Sequence, residues 1–474
     1  LPKEYKKYMN KLSISKKAAL QKIHFVGIGG VSMSALARLA KNKGYIVTGT
    51  DDNDSQTLRD LNKCGIKTAV SSCPEFVKSA DLIVYTVAAK LHPDLTLAKS
   101  LSKLVLERAE FLGKIATHYK HTIAISGTHG KTTTTAMLGH IFETAKLNPT
   151  VHIGGVSQNW NSNLRLGSNE YLITEACEFN RSFLKLCPEC SCITNIECDH
   201  MDTYRDYDDI KSAFCKFASK TKKHIVYCGD SVQLPIKRSK NFLSYGFNSK
   251  NRFVAKNLRS DKKGAFSFDC YLDNKFYLRA KLAISGKHNV LNALACIAIC
   301  YAYRIPYIYI IEGIQTFVGV ERRQTMLGEI EGVIHYADYA HHPTEIAALI
   351  DTINLIPHRG KVVTIFQPHT YTRTLGLMSE FVKVLGKCDN LILLPTYSAR
   401  EQPIAGGDST DLFFALPPNA DRIYCSNYPS LKLNLDTVLN SGDICLWVGA
   451  GDIYQIAQYY IRETSNKLVP NCGK

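Results

Sequence analysis

Seven residues, Gly127-Thr128-His129-Gly130-Lys131-Thr132-Thr133, stand where an apolar run, HTIAIS (121–126), gives way to a helix-compatible stretch. Phosphates need several convergent backbone N–H groups. Glycines let the main chain come close, and a helix N-terminus adds partial positive charge. Lys131 then has the reach for β- and γ-phosphates, and the Thr132 hydroxyl suits Mg²⁺. The strict form of such a loop has a glycine six residues before the lysine. Ile125 stands there, so this is a shortened variant. Its strand–loop–helix setting favours nucleotide binding over a plain glycine turn.

A second glycine-rich turn, Gly27-Ile28-Gly29-Gly30, also follows a strand-like run, and Asp51 ends the next one. That distance suits a ribose contact, but Ser32 replaces the third glycine of the dinucleotide fingerprint. The turn therefore points to a diphosphate, such as that of a nucleotide-sugar, more than to a nicotinamide. A third group is acidic: Glu175 in TEACE, and Asp199, His200 and Asp202 in TNIECDHMD. Carboxylates at the C-terminal ends of parallel strands face the same crevice as the phosphate loop. Oxygen ligands suit Mg²⁺, and a histidine among them suits Mn²⁺ as well. Helix capping by Asp199 or Asp202 is the alternative. Two further polar clusters follow strand-like runs, Asp338-Tyr339-Ala340-His341-His342-Pro343 and Gln367-Pro368-His369-Thr370-Tyr371-Thr372-Arg373.

The elements that must position these groups alternate β-rich apolar runs with helical stretches, the pattern of an α/β protein. Strands are expected at 23–30, 45–52 and 81–87, then at 121–126, 171–176, 191–196 and 224–229, then at 361–366, 390–395 and 443–451. The pattern restarts twice, which predicts domains at 1–119, 120–318 and 319–474. The 474 residues agree with that, at about 150 per domain. Hydrophobic residues are 45% and charged residues 21%, as in ordinary globular chains. The net charge of +16 comes from lysines spread along the chain, which predicts a solvated surface and no nucleic-acid partner. The 16 cysteines read as reduced thiols. Cys187, Cys190 and Cys192 lack the second pair that a structural zinc site needs. No apolar run is long enough to span a membrane. The basic stretch at 1–20 lacks the apolar centre of a secretory signal, so a cytoplasmic location is expected.

In combination and in order, HFVGIGGVSM, GTHGKTTTTAM, TEACE, TNIECDHMDTY, SGKHNVLNALA, DYAHHPTE, FQPHTYTRT and WVGAGDI resemble the Mur ligase family, from about residue 22 to about residue 456. The resemblance implies three α/β domains. The first is Rossmann-like and binds UDP, the second is a P-loop ATPase on a mostly parallel sheet, and the third is Rossmann-like. It implies an ATP-dependent amide ligase that joins L-alanine to the lactyl carboxylate of UDP-N-acetylmuramate through an acyl phosphate. The substrates would be UDP-N-acetylmuramate, L-alanine and ATP, with Mg²⁺ or Mn²⁺.

By matching motif, Gly27, Gly29, Gly30 and Asp51 would hold the UDP-sugar. Gly127, Thr128, His129, Gly130, Lys131, Thr132, Thr133, His288, Asn289, Arg323 and Asp338 would hold ATP. Thr132, Glu175 and His200 would hold metal. Lys131, Glu175, His200, His342 and Arg373 would be catalytic, and His369 with Arg373 would bind the amino acid. Thr370 stands where many relatives carry arginine, Cys177 and Phe179 depart from an ADES motif, and Gln324 replaces a frequent phenylalanine. Three rival readings are a recycling ligase that adds a preformed peptide, a non-catalytic nucleotide-binding regulator and a nicotinamide oxidoreductase.

Overall fold

The computed structural model describes residues 21–201, 203–233, 242–418 and 421–468. Asp202 and the stretch 1–20 lie outside the described residues. Of these described residues, 21–119 with 163–166 form one compact unit, and the others from 120 onward form a second.

In the first unit five parallel strands take the order Lys67–Val70, Ile46–Asp51, Lys22–Val26, Leu82–Tyr85, Leu104–Glu107. Strands buried on both faces need near-continuous apolar runs. Phe25, Val26, Ile83 and Val84 supply them, each fully buried. The strand order reverses beside Lys22–Val26, and the turn Gly27–Gly30 follows that strand directly.

The second unit carries two sheets. One runs from Lys275–Ser285 through Ala265–Leu272, Phe253–Ser260, Phe242–Gly246, His224–Cys228, Cys190–Ile193, His121–Ser126 and Tyr171–Glu175 to Thr150–Ser157. The pairs around His121–Ser126 are parallel, whereas Phe253–Ser260, Ala265–Leu272 and Lys275–Ser285 pair antiparallel. The other sheet has the order Thr325–Ile330, Val333–Asp338, Ile444–Val448, Val362–Phe366, Asn390–Leu393, Asp421–Tyr424, antiparallel only in its first pair. Trp447 is fully buried in it, and its indole N–H donates to His335 Nδ1 at 3.2 Å.

Every strand expected from the apolar runs is present, within a few residues. The antiparallel extension was not anticipated. Lys275–Ser285 alternates buried and exposed positions with charged residues on the open face, which conceals it among polar sequence. Cys190 and Cys192 are buried within one strand, Cys187 is exposed, and among the described residues they form no metal-binding group. Among the described residues no helix is long and apolar enough to cross a membrane.

Candidate active site

The loop 127–130 is shaped by two glycines. Gly127 has φ +135°, and a Cβ there would collide with the Thr194 side chain. Gly130 has φ +81°, and its Cβ would lie 2.7 Å from Asn292 Oδ1. Both positions lie in the backbone region that L side chains rarely adopt. The helix Lys131–Thr144 follows at once. Four successive threonines are poor helix formers, yet Thr133, Thr134 and Thr135 are buried. Their polarity is accommodated locally: Thr134 Oγ1 donates to Asn292 Oδ1 at 3.1 Å, and Thr135 Oγ1 donates to the Lys131 carbonyl at 2.8 Å.

A neighbouring strand end braces the loop. Thr128 N donates to the Asn195 carbonyl at 3.2 Å, His129 N to Asn195 Oδ1 at 2.8 Å, and Thr194 Oγ1 to the His129 carbonyl at 2.6 Å. The first amides of the helix have no intrahelical acceptor, so they are the donors that a phosphate would use.

Lys131 Nζ donates to Glu178 Oε1 at 2.9 Å and to the carbonyls of Gly127 and Thr128 at 2.5 and 2.9 Å. Burial opposes its charge, but Glu178 more than compensates and raises its pKa. Glu178 is held below the usual carboxylate range: burial works against it, and Lys131 and His200 outweigh burial. Glu175 behaves oppositely. Burial raises its pKa despite a hydrogen bond from Gly154 N at 2.5 Å and the nearby Lys131 and Thr132. His200, at φ +56°, places Nε2 3.6 Å from Glu178 Oε1 and 3.7 Å from Asp199 Oδ2.

The structure thus gathers Thr132, Glu175 and His200 around Lys131 and adds Glu178, which sequence reasoning left without a role. Its position three residues after Glu175, in the same motif, was the available signal. Glu178 Oε2 is buried and has no hydrogen-bond partner among the described residues. Glu175, Glu178, Thr132 and His200 are donors of the types that Mg²⁺ or Mn²⁺ takes, but among the described residues the two carboxylates and the imidazole do not converge within 4.8 Å of one another, so a shared ion would have to draw them together.

A cleft of about 540 Å³ opens beside the loop, lined among others by Thr132, Asn195, His288, Asn289, Arg323 and Asp338. Asn289 Nδ2 donates to the Ser285 carbonyl at 2.6 Å, and its Oδ1 accepts from Asn292. Burial lowers the His288 pKa to about 4, with Arg323 adding to the effect. Asp338 accepts from Gln324 N at 2.8 Å and Ala340 N at 2.7 Å; burial still raises its carboxyl to about 6 against the pull of Arg323.

On the facing side, the helix Pro343–Ile353 has His342 as its N-cap, accepting from Thr344 N. His342 Nε2 donates to the Cys198 carbonyl at 3.3 Å. His129 Nδ1 is 3.1 Å from Glu345 and its Nε2 is 3.4 Å from Glu197. Burial disfavours the His129 proton, but Glu345 and Glu197 raise its pKa to about 9. Burial lowers His341 to about 3, and burial with Arg373 lowers His369 to about 4, so both rings are neutral.

Arg373 is engaged by two neighbours. Nε and Nη2 both donate to Asp199 Oδ1, at 3.1 and 3.0 Å, and Nη1 donates to the His369 carbonyl at 3.1 Å. Asp199 is therefore no helix cap; that part is taken by Asp206, whose side chain accepts from Asp209 N. Burial opposes the Asp199 charge, and Arg373 nevertheless holds it well below the usual carboxylate range.

In the first unit, Asp51 Oδ2 accepts from Gly29 N at 2.9 Å, and Gly27 N and Ile28 N donate to the Thr50 carbonyl. The glycine turn and Asp51 are thus adjacent.

Comparison with known proteins agrees with this geometry. A model described as the Mur ligase family catalytic domain matches residues 22–120, the Mur ligase middle domain matches 125–300, and the Mur ligase glutamate ligase domain matches 322–451. The UDP-N-acetylmuramate–L-alanine ligase of Clostridium botulinum (strain Hall) is 42% identical over 449 residues, covering 93% of this chain and 97% of that protein. The enzyme of the same name from Caldanaerobacter subterraneus is 38% identical, covering 94% and 98%. Among solved structures, the UDP-N-acetylmuramate–alanine ligase MurC of Thermotoga maritima superposes with a TM-score of 0.81 at 27% identity, covering 94% of this chain and 99% of that one. A murein peptide ligase from Psychrobacter arcticus, at 22% identity and a TM-score of 0.69 over 94% and 99%, shares the fold. With a phosphate loop on a parallel sheet, a facing basic cluster and family models spanning nearly its whole length, this chain belongs to the Mur ligase family.

Proposed function

We propose that this chain joins L-alanine to the lactyl carboxylate of UDP-N-acetylmuramate, converting ATP to ADP and phosphate. The observation that carries the reading is the pairing of a phosphate loop, centred on Lys131, with Arg373 and three histidines facing it from the last sheet. The names of the clostridial relatives supply the substrates. Domain limits at 119/120 and 318/319 are supported by the unit boundary at 119 and by the start of the last sheet at Thr325. A cytoplasmic location suits ATP-consuming synthesis of a UDP-linked precursor.

In the first step the lactyl carboxylate attacks the γ-phosphorus, ADP leaves, and an acyl phosphate forms. Lys131 and the helix amides offset charge growing on the phosphoryl oxygens. Thr132, Glu175 and His200, with Glu178, would hold a divalent ion that supplies further charge neutralisation. His288 and Asn289 line the cleft where the nucleoside would lie, and Arg323 and Asp338 close it from the last domain. In the second step the neutral amine of alanine attacks the acyl carbon, and phosphate leaves from the tetrahedral intermediate. His342 is the ring assigned to receive the amine proton. Burial and the neighbouring charged His129 lower its pKa, so it is unprotonated at pH 7. His129 carries its proton and cannot serve. Arg373 attracts the alanine carboxylate, with His369 behind it. The Gly27–Gly30 turn and Asp51 hold the UDP part.

Phosphate release, measured with each of UDP-N-acetylmuramate, L-alanine and ATP omitted in turn, tests the reading. Full turnover requires all three. Turnover with a tripeptide but not with free alanine would assign the chain to peptide recycling instead.

A further inference from the structure

We propose that His129, Glu197 and His342 form a binding site for one transition-metal dication of the Zn²⁺ type, distinct from the phosphate-associated ion. The three residues come from the phosphate loop, the strand end that braces it and the N-terminus of the helix Pro343–Ile353. Their donor atoms all lie within 4.8 Å of one another. His129 Nε2 is 3.4 Å from Glu197 Oε2, and His342 Nδ1 is 3.8 Å from the same oxygen. Tetrahedral bonds of about 2.0–2.1 Å place donors roughly 3.3–3.4 Å apart. One edge is already at that length, and the rest close by small side-chain shifts.

The surrounding contacts set the tautomers that such a site needs. His129 turns Nδ1 to Glu345 Oε1 at 3.1 Å, leaving Nε2 buried and, among the described residues, without a hydrogen-bond partner. His342 donates Nε2–H to the Cys198 carbonyl, so Nδ1 carries the lone pair. Thr344 Oγ1 donates to Glu197 Oε2 at 2.7 Å and fixes that carboxylate. Metal-bound imidazoles characteristically donate their other N–H to a carboxylate or carbonyl, as both rings do here. Among the described residues the competitor is Thr344 N, which donates to His342 Nδ1 at a long 3.3 Å. Two imidazoles and one carboxylate favour zinc and its neighbours over Mg²⁺, which prefers oxygen. Three protein ligands also leave a fourth position open. Glu197 and Glu345 already hold a positive charge between them, the His129 proton, which a bound ion would displace.

The site rests on geometry; because it takes the His342 Nδ1 lone pair, an ion bound there and His342 acting as base exclude one another, and binding is therefore read directly, without turnover. Co²⁺ is the spectroscopic probe and Zn²⁺ the calorimetric one, titrated at pH 8 into the full chain without nucleotide. One equivalent should bind, with the visible bands of nitrogen and oxygen coordination and no thiolate charge-transfer band. His129→Ala and Glu197→Gln should abolish binding, and Glu345→Gln should weaken it about 10–100-fold. Cys198→Ser should leave it unchanged. Anomalous density in zinc-soaked wild-type crystals, needing no variant, should lie between the three side chains. Failure of Co²⁺ and Zn²⁺ to bind the wild type, binding unaltered in both His129→Ala and Glu197→Gln, or anomalous density on cysteines instead would overturn the proposal.

Discussion

Replacing Arg373 by alanine is the most informative single perturbation of the proposed amino-acid pocket. A guanidinium has five N–H donors. In this structure Nε and one Nη2 hydrogen face Asp199, and the two Nη1 hydrogens go to the His369 carbonyl and to His369 Nδ1, at 3.1 and 3.2 Å. An arriving carboxylate therefore finds one uncommitted Nη2–H among the described residues, together with the positive charge. One charge-assisted hydrogen bond contributes roughly 1.5–3 kcal/mol, so Arg373→Ala should raise the alanine KM about ten- to a hundred-fold. The assay is initial-rate phosphate release with alanine varied and both other substrates saturating. Removing Arg373 also strands the buried Asp199 carboxylate, which can disturb the site by itself. The double variant Arg373→Ala/Asp199→Asn separates the two effects. A KM that stays raised in the double variant assigns the loss to alanine binding. A KM restored to the wild-type value, or a fall in kcat with unchanged KM, would refute the reasoning.

Lys131→Ala should lower turnover by ~10²–10³-fold or more, as expected for loss of a preorganised charge at the transferring phosphoryl group; residual activity near wild type in a folded variant would exclude that part for Lys131. Glu175→Gln should raise the Mg²⁺ concentration for half-maximal rate about tenfold or more, since one charged ligand contact is worth roughly 1.5–3 kcal/mol, and an unshifted metal titration would argue against ligation. The His129 bridge predicts a pH dependence of stability in chelator-treated protein. Its pKa rises from an ordinary 6.5 to about 9, so the stabilisation is complete below pH 6.5 and disappears as pH climbs through 9. At ~1.36 kcal/mol per unit this amounts to about 3 kcal/mol. Melting measured at pH 6 and pH 10 should show a larger loss in wild type than in His129→Gln, and equal losses would contradict the bridge.

The parallel strands could be read directly, because burial on both faces forces uninterrupted apolar runs such as HTIAIS and DICLWV. The phosphate loop was equally legible, since Gly127 and Gly130 occupy conformations closed to most other residues. Lys275–Ser285 was hidden because an antiparallel strand open on one face mixes lysines with apolar residues. Glu178, Glu197 and Glu345 lay inside or beside recognised motifs but had no assigned part. Their significance depends on which histidine or lysine each meets across more than 40 residues of intervening chain, as in the Lys131–Glu178 contact at a separation of 47. Similarly, the spacing of Arg373 within its motif carried no hint that Asp199, 174 residues away, occupies two of its five donors.

The Lys131–Glu178 pair sets an entry requirement for the loop. An anion that seeks this ammonium must outcompete a carboxylate that is already desolvated and well placed. A singly charged visitor, or inorganic phosphate at modest concentration, gains too little to do so. A triphosphate accompanied by its cation brings several charges at once and gives the displaced carboxylate a new positive neighbour. The same ion pair would thus act as a filter against weakly charged solutes, reserving the lysine for the polyphosphate whose terminal group is to be transferred.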